Sequence, residues 1–107
     1  MFTLWLFIYI SNIFSPSQAD PCQLYGAVFI ETSRTYADYI IYEEESEAFA
    51  DLMVFKQENK LFADDRGLWH ITKDRSFADF TIYVTTKKNQ ADFTIFYTDT
   101  ESFAGCR

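Results

Sequence analysis

The chain has 107 residues, of which 16 are acidic and nine are basic, so its formal net charge is −7. This length allows one domain and excludes most multidomain architectures. The apolar fraction of 49% is too high for an intrinsically disordered chain. The acidic balance argues against nucleic acid as a partner, because binding to phosphates needs a basic patch.

The first segment, residues 1–14, is an apolar block without a charged side chain. It is shorter than the ~20 apolar residues that a transmembrane helix needs. Ser17 and Ala19 then give the small-x-small pattern of a signal-peptide cleavage site. We therefore expect residues 1–19 to be a signal peptide and residues 20–107 to be a secreted or periplasmic domain without membrane contact. Because no Lys or Arg precedes the block, a membrane anchor or a buried N-terminal helix is the alternative.

The remaining chain is built from a repeated unit. Alanine followed by aspartate recurs at nearly constant intervals. Only the third interval is longer, and an Ala-Gly pair closes the series. An aromatic residue precedes the alanine in five of the six copies. A fixed period of this kind indicates a repeat architecture, in which these residues have structural roles. The pairs are Ala37-Asp38, Ala50-Asp51, Ala63-Asp64, Ala78-Asp79, Ala91-Asp92 and Ala104-Gly105.

The residues that follow each pair are typical of strands. Residues 80–85 and 93–98 are β-branched or aromatic almost throughout, and alternate residues in them belong to opposite faces. Both faces carry such side chains, so we expect both to be covered. A unit as short as this one leaves little room for a crossover helix beside a strand. The sequence predicts a small, mainly β domain of about six units, either meander-like or coiled.

These units resemble those of the 7(1) septoil knot domain, a family of uncharacterised, mostly bacterial proteins. The resemblance covers residues 28–107 and includes the two-residue insertion in the third interval. The residues that carry it are Thr32-Ser33-Arg34, Tyr36-Ala37-Asp38-x-x-Ile41-Tyr42, Leu68-Trp69-His70-Ile71, Phe77-Ala78-Asp79-x-x-Ile82-Tyr83, Gln90-Ala91-Asp92-x-x-Ile95-Phe96 and Ala104-Gly105-Cys106-Arg107.

The resemblance implies a β-rich chain whose backbone forms a seven-crossing torus knot. It implies no enzymatic activity, cofactor or catalytic residue. Cys106 departs from the family pattern, since the family usually closes with Ala-Gly and an aromatic residue.

The two cysteines, Cys22 and Cys106, lie near the two ends of the mature segment. Because the leader directs the chain to an oxidising compartment, we expect them to form a disulfide. Two separate free thiols are the alternative.

The repeat aspartates admit two interpretations. Oxygen ligands at regular intervals could form an array of Ca²⁺ sites. One aspartate per repeat is sparse for such sites, so we expect each carboxylate to accept local backbone hydrogen bonds where a turn meets a strand. We expect the adjacent alanines to lie where backbones pass closely, and we predict no metal or cofactor.

Two further features are candidate sites. The acidic run of Glu43, Glu44, Glu45 and Glu47 is expected to be a solvated connection, with docking to a basic partner as the alternative. His70 is the single histidine, and no nucleophile elbow accompanies it, so we expect it to be structural.

The sequence predicts a secreted or periplasmic, non-catalytic structural or binding module with an unknown protein or envelope partner. Two alternatives are an extracytoplasmic hydrolase that uses His70 with nearby carboxylates, and a protease-resistant inhibitor or toxin-like factor.

Overall fold

The structure, a computed structural model, describes residues 20–106. The predicted leader lies outside these residues. Six strands of four or five residues carry the β-branched and aromatic runs. They are β1 (Gly26–Ile30), β2 (Tyr39–Glu43), β3 (Leu52–Lys56), β4 (Leu68–Ile71), β5 (Phe80–Val84) and β6 (Phe93–Tyr97).

A single turn of 3-10 helix precedes each strand, and a further turn follows β6. In five turns a polar residue caps the start. Its side chain accepts a hydrogen bond from the backbone N–H two residues later, as Ser33 does from Thr35. The turns are η1 (Pro21–Gln23), η2 (Arg34–Tyr36), η3 (Glu47–Phe49), η4 (Lys60–Phe62), η5 (Arg75–Phe77), η6 (Lys88–Gln90) and η7 (Glu101–Phe103).

All pairings between the strands are parallel, and the sheet closes into a barrel in the order β1-β4-β3-β6-β2-β5. The mainly β fold is therefore confirmed, and of the two predicted arrangements the coiled one is correct. Parallel strands usually need a crossover of a dozen or more residues. Here residues 31–38, 44–51, 72–79 and 85–92 suffice, because each connection needs only one 3-10 turn outside the barrel.

Successive strands are not neighbours in the barrel, with one exception. Each step from β1 to β2, β2 to β3, β4 to β5 and β5 to β6 passes over one intervening strand. Only β3 and β4 are adjacent, and their register has two residue pairs where the other pairings have three. From β1 to β6 the chain thus advances nine places in the six-strand order, which is one and a half circuits of the barrel.

The two ends of the described segment, residues 20–106, lie beside β3 and β4. Gly105 forms an isolated bridge with Met53 of β3, and Gly67, just before β4, donates its N–H to the carbonyl of Leu24 at 3.0 Å. We count the place between β3 and β4 that these end segments occupy as a seventh position. Every step of the chain then advances by two positions. Two circuits of seven positions is the winding of a seven-crossing torus knot.

The barrel interior forms one hydrophobic core. The indole of Trp69 meets the ring of Phe80 edge-on at 5.3 Å between centroids, and Tyr39 contacts both Phe80 and Phe93 edge-on. Large rings fill the narrow barrel with few side chains. The buried members of the core are Val28, Ile41, Leu52, Val54, Trp69, Phe80, Ile82, Phe93 and Ile95.

The outer face of the sheet is covered by the turns. Thr81 and Thr94 point away from the core and are nevertheless buried. Their hydroxyls donate to the carbonyls of Tyr36 in η2 and Phe49 in η3, each at 3.3 Å. The prediction that both faces are covered is correct at these positions.

Candidate functional site

Asp38 and Asp51 each form two hydrogen bonds with the backbone of one residue in a neighbouring strand. The N–H of Asp38 donates to the carbonyl of Thr81 at 3.0 Å, and its Oδ2 accepts from the N–H of Thr81 at 2.9 Å. Asp51 holds Thr94 with two bonds of 3.0 Å. We call this pair of hydrogen bonds the aspartate clamp. The clamp supplies hydrogen-bond partners for the backbone N–H and carbonyl of a strand residue, two groups that no neighbouring strand pairs.

Asp79 and Asp92 make the same clamp on other strands. Ala27 donates to Oδ2 of Asp79 at 2.8 Å and accepts from its N–H at 2.7 Å. Ile40 donates to Oδ2 of Asp92 at 2.7 Å and accepts from its N–H at 2.6 Å. The expectation of local bonds is therefore wrong for these carboxylates. Their backbone partners lie 43 or 52 residues away, because the barrel places non-consecutive strands side by side.

Two copies of the repeat depart from this arrangement. At the last copy the carbonyl of Gly105 accepts from the N–H of Met53 at 3.0 Å, so a backbone oxygen takes the place of the carboxylate. Asp64 is exposed, and its carboxylate has no hydrogen bond to any of residues 20–106. It precedes the two-residue insertion, which shifts it relative to the sheet.

The repeat alanines differ in burial. Ala63 is 5% exposed. Ala37, Ala50, Ala78, Ala91 and Ala104 are half-buried beneath the turns. The sequence pattern alone does not distinguish Ala63 from the others, because the difference arises from the insertion that follows it.

The disulfide between Cys22 and Cys106 is present, with 5.3 Å between the two Cα atoms. It joins η1 to the segment after η7 and so connects the two ends at the seventh position. Cys106 thereby ties the segment after η7 covalently to η1.

The acidic run is more than a solvated connection. The Glu44 carboxylate is largely buried and lies 2.9 Å from the Nζ of Lys88, and this contact raises the pKa of Lys88. Burial, with the negative charge of Glu43 added, raises the pKa of Tyr97 above its ordinary value. Two of the glutamates therefore contact neighbouring parts of the barrel, while Glu45 is exposed.

His70 lies near the end of β4 and is half-buried. Its Nδ1 is 2.9 Å from the carbonyl oxygen of Gln57, so the ring donates this hydrogen bond when Nδ1 carries the proton. Within residues 20–106 no cluster of His, Cys, Asp or Glu side chains is arranged to hold a metal ion. In the same part of the chain, no helix has the length and apolar character needed to span a membrane.

The aromatic residues that precede the repeat alanines point outward. We call these five residues the outer rings. The sequence shows the recurrence of these aromatic residues but not their orientation, because aromatic residues also fill the core. They are exposed by 60–68%: Tyr36, Phe49, Phe62, Phe77 and Phe103.

A surface pocket of about 440 Å³ lies between η4 and η7, beside the seventh position. Glu101 in this pocket accepts a hydrogen bond from the amide of Gln57. The lining residues are Gln57, Phe62, Asp64, Asp65, Arg66, Leu68, Glu101, Ser102 and Ala104.

Comparison with protein families identifies the chain. The family model described as 7(1) septoil knot domain matches residues 21–107, which includes every strand and turn described above. Comparisons with curated proteins and with solved structures found no match. The closed β-barrel with its double circuit agrees with the resemblance seen in the repeated units. The chain therefore belongs to the 7(1) septoil knot domain family.

Proposed function

We propose that the protein is a non-catalytic binding module that acts outside the cytoplasm. The observation that carries this proposal is that three repeat units combine a buried and an exposed role. In each of them the clamp aspartate bonds to a strand backbone, while the aromatic residue two positions earlier is exposed to solvent. The pairs are Tyr36 with Asp38, Phe49 with Asp51 and Phe77 with Asp79. Aromatic side chains are enriched at protein interfaces because they bury a large area at little entropic cost. The outer rings are therefore the surface that meets a partner.

The location rests on the disulfide and on the leader. A disulfide persists in an oxidising compartment, and residues 1–19 have the pattern of a signal peptide. Mass spectrometry of the protein recovered from the periplasm or the medium should show Asp20 at the N-terminus. An intact Met1 in a membrane-embedded form would contradict the location.

The contacts of His70 favour a structural role over general-base catalysis. Its Nδ1 is engaged with the Gln57 carbonyl, and a carboxylate is the usual partner of a catalytic imidazole in hydrolases. The alternative of a hydrolase predicts that His70→Ala abolishes an esterase, peptidase or glycosidase activity of the purified protein. The binding module predicts no turnover for either form.

The experiment that tests the module compares retention of envelope and secreted components on immobilised protein. The variant Tyr36→Ala with Phe77→Ala removes two outer rings, and His70→Ala is the matched control that leaves them in place. We expect the double variant to lose a saturable interaction that the wild type and His70→Ala share. Equal retention by all three forms would contradict a role of the outer rings.

A further inference from the structure

A regular contact links neighbouring turns around the outside of the barrel. The guanidinium of Arg75, the first residue of η5, lies 5.8 Å from the ring centroid of Tyr36, the last residue of η2. The ammonium of Lys88, the first residue of η6, lies 5.6 Å from the ring centroid of Phe49, the last residue of η3. In both places a cation of one turn lies near an aromatic ring of the next. Arg75 also lies 5.6 Å from the ring centroid of Phe29 and pairs with Glu31, and Lys88 pairs with Glu44.

The same relation holds between η2 and η6. Here the last residue of the turn is Gln90 instead of an aromatic, and Arg34 donates to its Oε1 at 2.7 Å. Three neighbouring pairs of turns therefore place a base from the first position of one turn against the side chain at the last position of the next. In these three pairs, the group that contacts the last residue of a turn is a cation.

Between η7 and η4 the first position of the turn carries an acid, as it also does in η3, which begins with Glu47. Glu101 is the first residue of η7, Phe62 is the last residue of η4, and both line the pocket of about 440 Å³. The Phe62 ring is 60% exposed, slightly less than the rings of Tyr36 and Phe49 that have a cation nearby. A cation placed over it would meet the carboxylate of Glu101 instead of the repulsion of a neighbouring base.

The other charges of the pocket also favour a cation. Asp64 and Asp65 add two carboxylates to that of Glu101, against the single guanidinium of Arg66. The Nε of Arg66 lies 4.0 Å from Asp65 with both side chains exposed. The lining thus keeps an excess of negative charge beside an aromatic face, in a volume within the range of small-ligand sites.

We propose that the pocket between η4 and η7 binds a guanidinium or ammonium group, such as an arginine or lysine side chain of a basic partner. The proposal rests on the function proposed above and names the chemistry that one part of the surface recognises. A flat ring beside carboxylates suits an organic cation, whose charge is attracted to the ring face while its N–H groups donate to the carboxylates.

The test titrates isotope-labelled protein with N-acetyl-arginine methylamide and separately with tetramethylammonium, and follows backbone amide signals. We expect saturable shifts at Phe62, Asp64 and Glu101. Glu101→Lys should weaken the affinity by about tenfold or more, because the new ammonium would lie near Phe62 as Lys88 lies near Phe49. Phe62→Ala should weaken it similarly. The matched control is Phe49→Ala, because Lys88 already lies near that ring, and it should leave the affinity unchanged.

The source of the cation is distinguished by a short peptide of arginine and glycine. A peptide that binds at least tenfold more tightly than the capped amino acid points to a basic protein partner, and equal affinities point to a small organic cation. Non-saturable shifts, or unchanged affinity in both Glu101→Lys and Phe62→Ala, would overturn the site. If retention on immobilised protein then still depended on Tyr36 and Phe77, the binding module would stand and the cation site alone would be wrong.

Discussion

A carboxylate in the aspartate clamp accepts a hydrogen bond from a strand N–H that has no other partner in the barrel formed by residues 20–106. Ala27 is completely buried, and its N–H has the Oδ2 of Asp79 as its partner at 2.8 Å. A buried N–H without an acceptor costs more free energy than an average hydrogen bond contributes. The clamp therefore stabilises the sheet mainly by preventing this loss.

Asp79→Ala removes the acceptor and leaves the N–H of Ala27 unpaired in a buried position. We expect the free energy of unfolding to fall by about 1–3 kcal/mol, measured by urea denaturation of the oxidised protein. Asp64→Ala is the control, because this carboxylate makes no clamp within residues 20–106, and its change should stay within about 0.5 kcal/mol. Equal losses in the two variants would contradict the clamp.

The role of these aspartates could be predicted only in part from the sequence. Their recurrence before strand-like runs indicates a hydrogen bond to the backbone, which is what the structure contains. Which backbone N–H donates to each carboxylate depends on which strands lie side by side. That order is set by the closure of the whole barrel, so a local pattern around Asp38 cannot reveal its bond to Thr81.

Tyr97 provides a test of burial at alkaline pH. Burial raises its pKa in the folded protein above the ordinary value of about 10. The folded state then keeps a proton that the unfolded state loses, so this contribution to stability is complete below about pH 10 and falls as the pH rises further. Between about pH 8 and about pH 11, wild type should lose more unfolding free energy than Tyr97→Phe. A parallel loss in both forms would contradict the buried phenol.

At the scale of the element, the length of the repeat unit follows from short-range chemistry. A capping residue, one 3-10 turn, the Ala-Asp pair and a short strand account for most of it. The strands could be predicted because β-branched and aromatic residues favour a pleated surface. The 3-10 turns could not, since residues such as Arg34, Thr35 and Tyr36 carry little turn propensity and the turn depends on the cap at Ser33.

The two-residue insertion in the third interval contains Gly67, which lies against the backbone at the seventh position. Gly67 has a φ of +79°, and a Cβ placed there would lie 2.3 Å from the backbone N of Gly105 and 2.6 Å from the carbonyl oxygen of Met53. The segment around Gly105 therefore fits against β3 only if residue 67 has no side chain.

Gly67→Ala should destabilise the protein more than Gly105→Ala. Both residues have positive φ, and this strain alone costs about 1–3 kcal/mol. At Gly105 the nearest atom to a new Cβ is 3.7 Å away, whereas at Gly67 backbone atoms must move. We expect an additional loss of roughly 1–3 kcal/mol for Gly67→Ala in thermal or urea unfolding. Identical stabilities would contradict the close approach of Gly67 to Gly105.

At the scale of the whole molecule, the winding brings the two ends of residues 20–106 together beside β3 and β4. The disulfide closes a loop with a sequence separation of 84 residues, for which the chain-entropy model gives about 4.5 kcal/mol of stabilisation. This effect matters in a small domain, whose core buries a limited fraction of the surface of the chain.

The winding itself could be predicted only through the family resemblance. Equal repeats are compatible with a meander, a solenoid or a double circuit, and true knots are otherwise almost absent from proteins. The Cys22–Cys106 pairing, in contrast, could be predicted from cysteine count and compartment alone.

The most direct test of this account is the refolding rate of residues 20–107 after prolonged denaturation, with and without reductant. With the disulfide intact, the path of two circuits and seven positions is a closed loop, so a knot cannot escape over a chain end. We expect the oxidised protein to refold rapidly, and the reduced protein and Cys22→Ser with Cys106→Ser to refold much more slowly, because they must thread again. Equal refolding rates in all three forms, with the disulfide verified by non-reducing peptide mapping, would contradict the threaded double circuit.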